Sequence, residues 1–240
     1  MFNIILRFFF ALFLVTRALS VCAEGIKVSP IRIEVNSRQA IAVLKVSNPG
    51  ETPLLIQSEL FKWTQIDGED VYEPSQDILV IPPLFTLEPH QEQTMRVALL
   101  RPADAKELAY RLYLQEIKQK VKISESSSLN IALRIGIPIF VAPQIESREE
   151  FAWEISHIEG TGLVVKLQNN GNLNLFINAL EVLKSNNQVI SEGKPVFKYL
   201  LPEQNTQWTI MLQSEEFEND YTIKAKINGR EIIRECPVAQ

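Results

Sequence analysis

From Leu129 to Val141 the chain alternates strictly. Leu129, Ile131, Leu133, Ile135, Ile137, Ile139 and Val141 are apolar, with Asn130, Ala132, Arg134, Gly136 and Pro138 between them. Period-two alternation over so long a run predicts one extended strand. At roughly 3.3 Å per residue it would reach about 40 Å, long for a globular sheet. Pro138 has no N–H for a ladder, which places the far half of the strand at a sheet edge. Long apolar edge strands invite pairing with other chains, and proteins normally suppress them. Two readings are open: one face of an ordinary β-sandwich core, or a strand retained to pair with another protein's chain.

The surroundings of this run are also β. Ile26–Val35 alternates loosely, with Pro30 marking an edge or bend. Ala40–Ser47 alternates cleanly and stops at Asn48-Pro49-Gly50, a turn signal. Pro53–Trp63 resumes as a strand closed by the hairpin signal Asp67-Gly68. Short apolar runs follow at Ile78–Ile81, Thr94–Leu100 and Tyr110–Ile117, with one helical turn expected at Ala103–Leu108. Lys118–Ser128 is polar and aperiodic, and reads as a loop. Evenly spaced short strands with turn signals predict an immunoglobulin-like β-sandwich. After a Pro143-containing, charged linker, six further strand-like runs and a last one at Arg230–Cys236 predict a second, smaller β domain. No internal repeat is evident.

The start of the chain reads as an export signal. Arg7 precedes the apolar run Phe8–Val15, and small residues frame a cleavage site after Ala23. The domain plan is therefore a leader over 1–23, a first domain over 24–142 and a second over 143–240. Cleavage removes Cys22 and leaves Cys236 without a partner, so no internal disulfide is expected. The run is short for a transmembrane span, and no later segment is apolar enough to cross a bilayer. A net charge of -5 without a basic stretch argues against nucleic acid as a partner.

Chemistry is sparse. His90 and His157 are the only histidines, and neither has a partner in sequence. No G-x-S-x-G elbow, phosphate loop or metal-ligand spacing occurs. The residues therefore predict neither catalysis, nor a metal, nor a cofactor.

Several motifs taken together carry a resemblance. They are Val28-Ser29-Pro30-Ile31-Arg32, then Ile81-Pro82-Pro83 with Leu87-Glu88-Pro89 and Met95-Arg96-Val97, then Glu107–Ile117, and finally Leu129–Leu133. As a set they resemble the periplasmic chaperones of the chaperone–usher pilus pathway, the PapD-like group. The spelling Ile137-Pro138-Ile139-Phe140 looks like the archaic, or alternative, branch. The resemblance implies an all-β protein of two immunoglobulin-like β-sandwich domains in an L-shaped arrangement. It implies a periplasmic location, pilus or fimbrial subunits as partners, delivery to an outer-membrane usher, and no cofactor. Its mechanism is donor-strand complementation, a form of β-strand addition. Leu129, Ile131, Leu133 and Ile135 would then enter the open groove of an incomplete subunit.

The same family anchors the subunit's C-terminal carboxylate with two basic residues. Arg32 matches the first. Pro138 stands where a lysine is usual, so Arg96 is the first candidate for the second cation, followed by Arg111 and Arg134. Glu116 matches an acid of the domain junction, although its usual arginine partner is replaced by Ala142. Self-association of the free protein is left open. The competing reading is a secreted structural or adhesive two-domain sandwich whose long strand is simply core.

Overall fold

The computed structural model describes residues 25–118, 132–158, 162–191, 195–212 and 217–239. Every regular element in these residues is a strand, and no helix is long and apolar enough to cross a membrane. The first sandwich has one sheet in the order β1 (Lys27–Ser29), β3 (Ile41–Ser47), β8 (Glu92–Leu99), β6 (Ile78–Ile81). Facing it is the sheet β2 (Ile33–Val35), β10 (Arg134–Val141), β9 (Leu108–Glu116), β4 (Leu54–Ile66), β5 (Glu69–Pro74), with β7 (Leu84–Leu87) also paired to β4. The inward faces meet in one core that includes Leu44, Val46, Ile56, Met95, Leu112, Leu114, Ile137 and Ile139.

Two local expectations give way to tertiary demands. The run Ile26–Val35 is split, because the chain leaves one sheet after Ser29 and joins the other at Ile33. Pro30, which cannot donate to a ladder, lies in this crossing, and Arg32 is carried out of the sandwich at its end. Ala103–Leu108 is not a helical turn but irregular chain running into β9. The Glu107 N–H is taken there by Asn172 O of the second domain, at 3.0 Å.

The second sandwich consists of β11 (Phe151–Ile158), β12 (Gly162–Asn169) and β15 (Asn205–Met211) against β13 (Leu175–Leu183), β14 (Pro195–Leu200), β16 (Asp220–Ile227) and β17 (Arg230–Ala239). The end of β17 pairs with β11 in parallel and ties the two sheets together. Its separate core includes Ile155, Val165, Leu167, Ile177, Val182, Tyr221 and Ile223. Cys236 is buried here, and burial pushes its thiol pKa up, so it serves as a small apolar side chain.

Although no repeat is evident in the sequence, one device occurs twice. Asn48 ends β3 and donates its amide to Thr52 O and Leu87 O while accepting from Gly50 N. Asn169 ends β12 and donates to Leu173 O, Leu200 O and Leu201 O while accepting from Gly171 N. Each amide closes its own turn and satisfies carbonyls that the sandwich has removed from water.

Candidate partner-binding edge and interdomain cleft

β10 has β9 on one side along its whole length, Arg134 through Val141. On the other side β2 pairs with it only from Ile139 to Val141. The bond from Glu116 N to Leu133 O, 2.9 Å, sets the phase of the β10–β9 ladder. Odd-numbered residues of β10 bond to β9, and the backbone groups of Arg134, Gly136 and Pro138 point the other way. Among the described residues no strand meets them there. Pro138 therefore costs the β9 ladder nothing.

This differs from the expectation in three respects. The edge is open from Arg134 to Pro138, as expected around Pro138, but the last residues, Ile139 to Val141, are flanked on both sides because β2 docks there. Among the described residues the strand begins at Arg134, and Ala132 and Leu133 precede it as irregular chain; Leu129 and Ile131 lie outside the described residues. The Leu133 N–H goes to the Glu116 carboxylate at 3.4 Å rather than to a ladder partner, which ends the regular pairing. Leu133 is half-buried, and Ile135 packs at the rim of its own core. Glu116 is buried and paired with Lys118. It sits at the end of β9 away from the domain junction, and the acid at the junction is Glu107.

The outward face of the β2–β10–β9–β4–β5 sheet is aromatic and cationic. One row across it reads Glu34, Phe140, Ala109, Trp63, Tyr72. The small Ala109 lets the Trp63 and Phe140 rings approach to 6.0 Å, and Leu201 of the second domain seats on them. The Arg111 guanidinium lies 4.2 Å above Trp63, and Arg134 lies 3.9 Å above Tyr113. Tyr72, beside Arg111, has its hydroxyl pKa pushed up to about 12, chiefly by burial. Gly136 belongs to this face, where the Tyr113 ring edge would stand 3.0 Å from a Cβ. Its bareness lets Tyr113 and Arg111 lie close to the strand.

Arg32 reaches the same face from the start of β2. Its guanidinium lies over the Phe140 ring, 4.4 Å from the centroid, and 5.7 Å from that of Tyr199. Its Nε donates to a Glu34 oxygen at 2.9 Å, and one terminal nitrogen forms an ion pair with the same oxygen at 2.8 Å. The terminal fork of the guanidinium is left for a second acceptor. Beside it opens a cleft of about 490 Å³ between the domains, lined by Arg32, Glu34, Glu107, Phe140, Asn174 and Phe176. A cation fixed on an aromatic bed at such a wall can donate two parallel hydrogen bonds to one carboxylate. The structure does not bring Arg96 to Arg32. Arg96 stands on β8 in the opposite sheet, between the inward-facing Met95 and Val97, so alternation turns it to the far outer face.

Glu107 is the half-buried acid of the cleft. Its Oε1 accepts from Asn174 N at 2.9 Å and Asn174 Nδ2 at 2.7 Å. Burial raises its pKa above the ordinary carboxylate value, and the Asn174 bonds only partly offset that. The folded chain thus holds this proton at a pH where the unfolded chain has lost it. Stability from this group falls as pH rises from about 4.5 through the raised value. Glu107→Gln keeps the acceptor oxygen and removes the charge. Thermal melts across mildly acidic to neutral pH should show a smaller loss of stability with rising pH in the variant than in the parent.

Residues 25–145 match the family model of the pili and flagellar-assembly chaperones, PapD N-terminal domain. The chain belongs to this family. The match ends just beyond β10, so it covers the whole first sandwich of this PapD-family protein. Solved structures extend the likeness over both domains. One is a chain of the CsuC–CsuE chaperone–tip adhesion subunit pre-assembly complex from archaic chaperone-usher Csu pili of Acinetobacter baumannii. It is 21% identical at a TM-score of 0.66, with 90% of this chain and 100% of that chain covered. A chain of the Salmonella enterica SafA pilin–SafB chaperone complex is 19% identical at 0.61, covering 91% and 99%. The Pseudomonas aeruginosa CupB2 chaperone is 17% identical at 0.57, covering 89% and 100%. At these identities the structures show a shared fold. No curated protein matches the sequence.

Proposed function

We propose that this PapD-family chain is a periplasmic pilus-assembly chaperone that lends a strand to incomplete subunits. The observation that carries the reading is the open side of β10 over residues 134–138, continuous with the apolar alternation that precedes it. A guest strand there gains main-chain hydrogen bonds from Arg134, Gly136 and Pro138 backbone groups, and Leu129, Ile131 and Leu133 enter its groove. Ile135 contributes at the boundary, shared between host core and guest. A stand-alone structural sandwich gives no reason for an edge left open in this way. The apolar leader supports export, and the chemistry is binding only.

The guest's terminal carboxylate is held by Arg32, with Arg111 in place of Arg96 as the second cation. Both guanidinium groups rest on rings of one aromatic cluster, and Arg96 faces away from it. Co-expression with a candidate subunit should yield a 1:1 complex, and Arg32→Ala should weaken capture about tenfold or more without changing the melting temperature. An undiminished affinity would exclude the anchor. In the absence of a guest, the same edge is open to a second copy, which gel filtration of the free chain would reveal.

Delivery to an outer-membrane usher needs a surface that a bound subunit leaves clear. The far face of the first domain has one, in the paired rows Ile41–Ala98–Leu79 and Val43–Arg96–Ile81. Ile41 is 59% exposed and Ile81 49%. Exposed apolar patches of this kind mark docking sites. Leu79→Lys should leave subunit capture intact and reduce binding of the loaded chaperone to the usher.

A further inference from the structure

We propose that Gln65 is a positioning residue that sets the angle between the two sandwiches, and through it the cleft lined by Arg32 and the aromatic cluster on which Arg32 and Arg111 rest. Gln65 lies near the end of β4, on the same face as Trp63, and is only 5% exposed. Its side chain copies a ladder partner for the second domain. Nε2 donates to Tyr199 O at 2.9 Å, and Oε1 accepts from Leu201 N at 2.9 Å. The second Nε2 hydrogen goes to Asp70 Oδ1 at 2.8 Å, which holds the amide in this orientation from the neighbouring strand.

These bonds seat the Tyr199–Leu201 segment on the first domain. Leu201 then fills the cluster of Trp63, Ala109 and Phe140. Those two rings are the beds of Arg111 and Arg32. Tyr199 also closes on Trp63 at 5.5 Å and on Phe140 at 5.4 Å. One neutral amide thus fixes the second domain against the rings that orient both cations. The hairpin tip adds a steric stop. A Cβ on Gly68, whose φ is +79°, would lie 3.1 Å from Asn205 O. Asn174 and Glu107 fasten the opposite side of the cleft. A buried amide with every hydrogen-bonding group used has one low-energy placement, so this junction behaves as a fixed angle.

Gln65→Leu keeps the size and removes the bonds, leaving Tyr199 O and Leu201 N without partners; Gln65→Glu keeps the acceptor but loses the donors. Amide hydrogen exchange and small-angle scattering on the free full chain test the positioning directly. In Gln65→Leu the Leu201 N–H should lose protection by about tenfold or more, equal to about 1.4 kcal/mol, while core amides such as Leu112 keep theirs. The scattering curve should report a broader spread of interdomain arrangements. Gln65→Glu should retain Leu201 protection better than Gln65→Leu. Unchanged Leu201 protection and an unchanged curve in Gln65→Leu would overturn the inference. The consequence for capture rests on the proposed chaperone function and is read separately. Subunit affinity should fall in Gln65→Leu, and the further effect of Arg32→Ala should shrink in that background. Loss of the fixed angle with no effect on capture would leave the positioning intact and count against the anchor.

Discussion

Changing Ile131 and Leu133 together to aspartate should abolish the proposed 1:1 complex with a subunit while the chain remains folded. Burial of each aliphatic side chain in a guest groove is worth about 1.5–3 kcal/mol, so losing both removes about 3–6 kcal/mol before any charge is desolvated. A carboxylate forced into an apolar groove adds a further cost. Affinity should therefore drop by more than about a hundredfold, beyond recovery by co-purification. The fold is spared because Leu133 is only half-buried and its backbone, not its side chain, is tied to Glu116. Isothermal titration or co-purification checks the complex, and circular dichroism melting checks the fold. A complex that survives both substitutions would end the donor-strand reading.

Asn169→Ala should be among the most destabilising single substitutions in the second domain. Asn169 is fully buried, and its amide serves Leu173 O at 2.8 Å, Leu200 O at 3.1 Å and Leu201 O at 3.1 Å, while Gly171 N donates to it at 3.0 Å. Alanine strands these groups away from water, at about 1–3 kcal/mol for each that finds no new partner. A loss of about 2–4 kcal/mol follows if relaxation rescues some of them. The turn that Asn169 closes also fastens the linker. Asn170 N bonds Glu150 O, and Asn172 exchanges bonds with Arg148 through its N–H and side-chain oxygen. A Cβ on Gly171 would collide with the Arg148 carbonyl oxygen. Urea unfolding should show a lower midpoint, and Asn169→Asp should not restore it because the lost group is the donor. A midpoint within experimental error of the parent would refute this account.

The β class, the separation into two sandwiches, and the inward faces of β3, β8 and β9 follow from period-two alternation, because one sandwich face must be apolar and the other need not be. Arg32 was reachable only through the resemblance of its motif, since a single arginine beside an edge strand has no pattern of its own. Arg96 shows the opposite limit. Its motif was recognisable, but only the assignment of β8 to the far sheet reveals that its side chain points away from the cleft. Gln65, Glu107 and Leu201 gave no signal. Each acts on a partner more than 60 residues away, and no local period records such a pairing.

The sequence by itself determined the β class of this chain, and it raised the expectation of an export leader and of one apolar strand more regular and longer than a sandwich needs. Those properties reside in neighbouring residues, where side-chain alternation and turn chemistry act. Only the tertiary structure decided which part of β10 is left open, which arginines share a face, and how the domains are locked. These depend on where β2 stops pairing with β10 and on one buried amide that reaches from β4 to Leu201. Sheet order and domain docking are settled by packing between distant segments, and that competition is written in no single stretch of the chain.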